Sequence, residues 1–153
     1  MNGIEVRDGH PQVLLVEDDP GDVRLTQEAF HQANPSVQLH VASDGVEAMA
    51  YLRQQAVPGT SPRPDLILLD LNLPKMDGRQ VLASIKEDPG LKTIPTIILT
   101  TSEAEADIAK GYLLQANCYL CKPVQLDAFE ILIKSVSDLW LSNAKLSQKR
   151  LVE

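Results

Sequence analysis

With 153 residues, 44% of them hydrophobic and 23% charged, the chain has the size and make-up of one globular domain and is short for two. A formal net charge of -7 opposes a generic nucleic-acid binder, which needs clustered Lys and Arg. No apolar run approaches the roughly 20 residues of a membrane span, and the polar residues 1–11 lack the apolar stretch of a secretory signal, so a cytoplasmic protein with no membrane contact is the expectation.

Five apolar, β-branched runs alternate with stretches of helical periodicity. The first run, residues 13–16, ends abruptly in Glu17-Asp18-Asp19-Pro20. Asp19 suits an N-cap and Pro20 the first helical position, which predicts a helix from Pro20 to about Ala33, stopped by Asn34-Pro35. Residues 37–41 alternate, with Val37, Leu39 and Val41 on one side. Asp44-Gly45-Val46-Glu47 then opens a second helix with a start that resembles a capping box, and that helix carries Val46, Met49, Ala50 and Leu52. Pro58, Gly59, Pro62 and Pro64 make the next segment a loop.

Leu66-Ile67-Leu68-Leu69 is the continuous apolar run expected of a central parallel strand, covered on both faces, and it ends in Asp70. A third helix carries Val81, Leu82 and Ile85 and stops near Asp88-Pro89-Gly90. Residues 94–99 form the fourth strand, ending in Thr100-Thr101, and Ser102 with Glu105 caps a fourth helix. The fifth strand runs from Cys118 to Cys121, and the last helix from about Gln125 to Asn143. The two cysteines have a C-x-x-C spacing that also suits redox or metal chemistry. On a strand, however, residues three apart face opposite sides, and buried structural thiols are the expectation.

The pattern is α/β, a (βα)5 chain with a doubly wound parallel five-stranded sheet and helices on both faces. One domain, residues 12–143, lies between short tails at 1–11 and 144–153, and the last ten residues are too few for a DNA-binding output module.

In an open parallel sheet, functional groups gather at the carboxyl ends of the strands. The first strand is followed by Glu17 and Asp18, the third by Asp70, the fourth by Thr100 and the fifth by Lys122-Pro123. Three acids brought close raise one another's pKa, and a hard divalent cation, Mg2+ above all, relieves them. A carboxylate beside such an ion can attack phosphorus to give an aspartyl phosphate, with the ion and a lysine neutralising the phosphoryl oxygens.

The stretches Val13-Leu-Leu-Val-Glu-Asp-Asp, Pro64-Asp-Leu-Ile-Leu-Leu-Asp-Leu-Asn-Leu-Pro-Lys-Met-Asp-Gly, Pro95-Thr-Ile-Ile-Leu-Thr and Tyr119-Leu-Cys-Lys-Pro together resemble the receiver domain of response regulators, over roughly residues 12 to 142. The resemblance implies a flavodoxin-like strand order of 2-1-3-4-5. It implies Asp70 as phosphoacceptor, Asp18 and Asp70 on the metal, Glu17 on it through water, and the backbone carbonyl of Asn72 completing the protein ligands. It also implies Thr100 as switch hydroxyl, Tyr119 as switch aromatic, Lys122 as phosphate partner and a cis bond before Pro123. Glu47-Ala-Met-Ala-Tyr-Leu-Arg, Asn117-Cys-Tyr and the ending Leu139-Trp140-Leu141-Ser142 are similar to the small regulators of cyanobacterial phytochromes, which implies a phytochrome histidine kinase as partner and a signalling switch rather than an enzyme. Thr101 stands where many receivers have Ala or Gly, and its bulk is expected to slow hydrolysis.

Along the last helix, Leu126, Phe129, Leu132, Ile133, Val136, Leu139 and Trp140 share an arc of roughly 140°, wider than a core-facing stripe needs, with Ile131 and Leu141 outside it. A homodimer through the fourth helix, fifth strand and last helix is the expectation. Two rivals are weaker. A phosphatase of the haloacid-dehalogenase type needs a second Asp where Asn72 stands, and a flavodoxin-like carrier needs a phosphate loop where Glu17-Asp18-Asp19 would repel the ligand. A scaffold-only receiver is disfavoured because every required position is filled.

Overall fold

The structure, a computed structural model, describes residues 10–54, 62–100 and 116–141. Five strands, β1 (Gln12–Val16), β2 (Gln38–Ala42), β3 (Leu66–Leu69), β4 (Thr96–Thr100) and β5 (Cys118–Cys121), form one sheet in the order β2-β1-β3-β4-β5. Every pairing is parallel. The described helices are α1 (Pro20–Ala33), α2 (Gly45–Arg53), α3 (Gly78–Glu87) and α4 (Leu126–Val136), the last continued by a π-helical turn, Ser137–Leu141. The helix expected from Ser102, Thr101, residues 1–9 and the tail 144–153 lie outside the described residues.

Strand side chains alternate between the two faces, and this divides the core in two. Leu14, Val16, Ile67, Leu69 and Ile98 meet Ala48, Met49 and Leu52 of α2 and Val81, Leu82 and Ile85 of α3. Val13, Leu15, Leu66, Leu68, Ile97 and Leu99 meet Ala29 and Phe30 of α1 and Phe129, Ile133 and Val136 of α4. All four residues of β3 are buried, because both of its faces are covered.

Local chemistry fixes where the helices begin. Asp19 Oδ2 accepts the Asp22 N–H at 3.1 Å to cap α1, and Pro20 follows as the first helical residue. At α2, Asp44 Oδ1 accepts the Glu47 N–H at 2.8 Å, but the Glu47 carboxylate reaches back to the N–H of Ser43 and not to that of the cap. A full capping box stands instead at α3, where Asp77 and Gln80 bond reciprocally.

Two sequence expectations change here. Cys118 is only half-buried and Cys121 is exposed among the described residues, where β5 is the edge strand of the sheet. Leu141 is buried, although straight helical spacing puts it off the apolar arc. The π turn at Ser137–Leu141 advances each residue by less than the α-helical angle and swings Leu141 onto the core.

Gly78, at the start of α3, sits against the chain just past β3. A Cβ there would lie 2.1 Å from the Asp70 carbonyl oxygen and 2.7 Å from Leu71 Cα. Both obstacles are backbone, so neither can step aside. Gly78→Ala should cost on the order of 1–3 kcal/mol of stability in urea unfolding; an unchanged midpoint would show that the loop after β3 is not held by this contact.

Candidate functional site

The sheet brings the strand ends together with little freedom. Glu17 follows Val16, and its N–H donates to the Ala42 carbonyl at 3.0 Å. Asp70 follows Leu69, the register partner of Val16, and its N–H donates to the Val16 carbonyl at 3.1 Å. The ladder thus runs one residue past each strand and sets both carboxylates side by side. Thr100 ends β4 opposite Cys121 on β5, one residue before Lys122.

Oxygens of Glu17, Asp18 and Asp70 all lie within 4.8 Å of one another. Glu17 and Asp70 are buried, at 3% and 8% exposure, while Asp18 is open to solvent. Lys122 closes the site from the β5 side. Its ammonium donates to Glu17 Oε1 and, at 2.9 Å, to Asp22 Oδ2, and lies 3.5 Å from Asp70 Oδ2. Glu17 Oε2 accepts the Asp19 N–H at 3.1 Å, and Asp70 Oδ1 accepts the Asn72 N–H at 3.2 Å.

Burial pushes the Glu17 carboxyl up to about 7; the bond from Lys122 opposes the rise and the charge of Asp70 adds to it. Burial alone would lower Lys122, but its hydrogen bonds to Glu17 and Asp22, with the charge of Asp70, hold the ammonium above the ordinary lysine value. One ammonium among four carboxyl groups leaves a negative site. Three convergent hard oxygens with an exposed member fit a divalent cation that keeps part of its water shell.

The loop after Asp70 is pinned at several points. Leu71 is fully buried, and its carbonyl accepts N–H bonds from Gly78 at 3.0 Å and Leu73 at 3.2 Å. Lys75 adopts a left-handed conformation (φ 65°), and its ammonium lies 3.5 Å from Asp44 Oδ2. Gly45 lets Met76 approach, since a Cβ at Gly45 would lie 2.1 Å from the Met76 carbonyl oxygen. Asn72, whose carbonyl is the expected metal ligand, is exposed on this loop.

Tyr119 is half-buried on β5 beside Ile98 and packs against the α2–α3 side of the core. The expected cis bond before Pro123 is not found: no peptide bond among the described residues is cis, so Lys122–Pro123 is trans. The trans form is the favoured one for X–Pro by about 0.5–1 kcal/mol, and Lys122 reaches its three carboxylates with it. Asp22 was not singled out from the sequence. Its place in the first turn of α1, three residues after the Asp19 cap and aimed at the strand ends, is the signal that could have found it.

The family model for the response regulator receiver domain matches residues 13–134. The response regulator Rcp1 of Synechocystis sp. is 47% identical over 134 residues, which cover 88% of this chain and 91% of Rcp1. The probable methanogenesis regulatory protein FilR2 of Methanothrix harundinacea is 36% identical, over 84% of this chain and 83% of its own. Among solved structures, the phosphorylated cyanobacterial phytochrome response regulator RcpA superposes with a TM-score of 0.82 at 48% identity, over 88% of this chain and 96% of that one. The Mn(2+)-bound form of Rcp1 gives a TM-score of 0.78 at 47% identity, over 86% and 94% of the two chains.

In the unfolded chain Glu17 ionises near 4.5, and in the cation-free folded protein at about 7. Its stabilising contribution is therefore full below 4.5 and is lost as pH rises through about 7. In EDTA, the Tm should be lower at about pH 8 than at about pH 6, and Glu17→Gln should flatten that difference. Added Mg2+ should raise the Tm more at the higher pH. An equal fall in Glu17→Gln would assign the pH dependence to other groups.

Proposed function

This chain belongs to the response regulator receiver family, and we propose that it accepts a phosphoryl group on Asp70 from a histidine kinase and thereby changes its interaction surface. The observation that carries this reading is the meeting of Glu17, Asp18 and Asp70 oxygens within 4.8 Å, beside a buried Lys122.

The transfer makes one bond and breaks one. A carboxylate oxygen of Asp70 bonds to phosphorus as the phosphorus–nitrogen bond of the phosphohistidine opens, and the histidine nitrogen keeps the electron pair and takes a proton from water. The Asn72 N–H holds Asp70 Oδ1, which fixes the carboxylate plane and leaves Oδ2 toward Lys122. Asp18, Asp70 and the Asn72 carbonyl would hold Mg2+, with Glu17 acting through water. When bound, the cation neutralises charge on the phosphoryl oxygens. The Lys122 ammonium bonds a phosphoryl oxygen from the β5 side. Thr100 then bonds the phosphoryl group through its hydroxyl, and Tyr119 repacks against the core.

The likeness to phytochrome regulators supports a phytochrome histidine kinase as donor and the cytoplasm as the place of transfer. Among the described residues, no helix is long and apolar enough to cross a membrane. The chain acts as a switch and not as a turnover enzyme, because Asn72 stands where a dehalogenase-type phosphatase needs an acid that donates and recovers a proton.

Acetyl phosphate with Mg2+ should add one unit of about 80 Da to the wild type and none to Asp70→Asn. An autophosphorylated phytochrome kinase should lose its label to the wild type alone. Labelling that persists in Asp70→Asn, or catalytic turnover of a small phosphate ester, contradicts the reading.

A second reading is a homodimer through the helix expected from Ser102, which lies outside the described residues, together with β5 and α4. Of the expected arc, Phe129, Ile133 and Val136 are buried and Leu132 and Trp140 pack partly on the core. Of the arc, Leu126 and Leu139 stay exposed at 50% and 58%, beside Val124 and Ile131, which lie outside it and are exposed too. Sedimentation at micromolar concentration should give a dimer that Leu139→Arg dissociates; monomer alone, with and without beryllium fluoride, would exclude it.

A further inference from the structure

Lys122 brings three N–H donors to the site, and they are unevenly shared. Glu17 Oε1 takes one and Asp22 Oδ2 another at 2.9 Å, while Asp70 Oδ2 stands at 3.5 Å, outside ordinary hydrogen-bond reach. The ammonium is thus drawn toward α1 and away from Asp70.

Asp22 is firmly placed to do this. Its N–H donates to Asp19 Oδ2 at 3.1 Å, and its carbonyl accepts the Thr26 hydroxyl at 2.7 Å. The first turn of a helix also favours a negative side chain. The Lys122 side chain is 7% exposed and that of Asp22 31%, so water screens the pair only in part. Asp22 does not belong to the group of three convergent carboxylates.

We propose that Asp22 is a positioning residue that holds Lys122 back from Asp70, so that an arriving phosphoryl group must compete for the ammonium. The inference rests on Asp70 being the phosphoacceptor. A phosphoryl group carries about two negative charges against the single charge of a carboxylate, and that difference draws Lys122 across the site. The contact with Asp22 is what the ammonium gives up. Asp22 therefore biases the site toward its unphosphorylated state, while Glu17 stays bonded to the lysine in either position.

The test is beryllium fluoride, a phosphoryl stand-in, titrated with Mg2+ present into the full chain and followed by amide chemical shifts. Asp22→Asn should bind it about tenfold tighter, the size of one charge-assisted hydrogen bond, and Asp22→Glu should return to the wild-type value. In a Lys122→Gln background the gain from Asp22→Asn should vanish. A gain that persists there would be a general charge effect and would overturn the proposal, as would no gain at all. Should Lys122→Gln not fold, the Lys122 Nζ resonance decides: it should move in Asp22→Asn without any ligand, and an unmoved resonance overturns the proposal. Failure of the wild type to bind beryllium fluoride would instead overturn the phosphoacceptor reading on which the proposal stands.

Discussion

The crowding of acids at the carboxyl end of the sheet is the constraint around which this protein is built. Glu17 and Asp70 are both buried, and neither can leave, because each is tied to a neighbouring strand through its own backbone N–H. Buried like charges are costly unless compensated. Lys122 offsets part of that cost, and a fold that keeps the remainder has a standing affinity for a cation.

The surrounding loops make sense as supports for this imbalance. Asp44 pairs with Lys75, Gly45 admits Met76, and Gly78 admits the backbone of Asp70, so the segment carrying Asn72 is braced by α2 and α3. Asp19 caps α1 with its side chain and bonds Glu17 through its N–H, which couples the helix start to the site. On the proposed reading, phosphoryl transfer to Asp70 gains from such bracing, because transfer depends on position.

Much of this was legible in the residues. The continuous apolar run of β3, the Asp19-Pro20 start and the stop at Asp88 are local signals, and each is found where the chain predicts it. The charged residues just past the strands, Glu17, Asp18, Asp70 and Lys122, also come together, because a parallel sheet leaves no other end for them. What was hidden depends on neighbours distant in the chain. Asp22 gains meaning only because Lys122, a hundred residues later, turns toward α1. Leu141 is buried because the helix widens at Ser137, and Cys121 is exposed on the edge strand β5, neither of which spacing alone reveals. The trans bond before Pro123 reflects a preference too small for sequence to decide.

On the proposed reading, the two states of this receiver differ in where one ammonium and one set of phosphoryl charges sit. The prior requirement is the cation, without which the acids oppose the arrival of an anionic group. Calorimetric titration of MgCl2 into the wild type and Asp18→Asn tests this most directly. One ion should bind per wild-type chain, with affinity falling by at least about tenfold in the variant. Absence of binding heat across the accessible concentrations, or equal affinity in both proteins, would contradict the account.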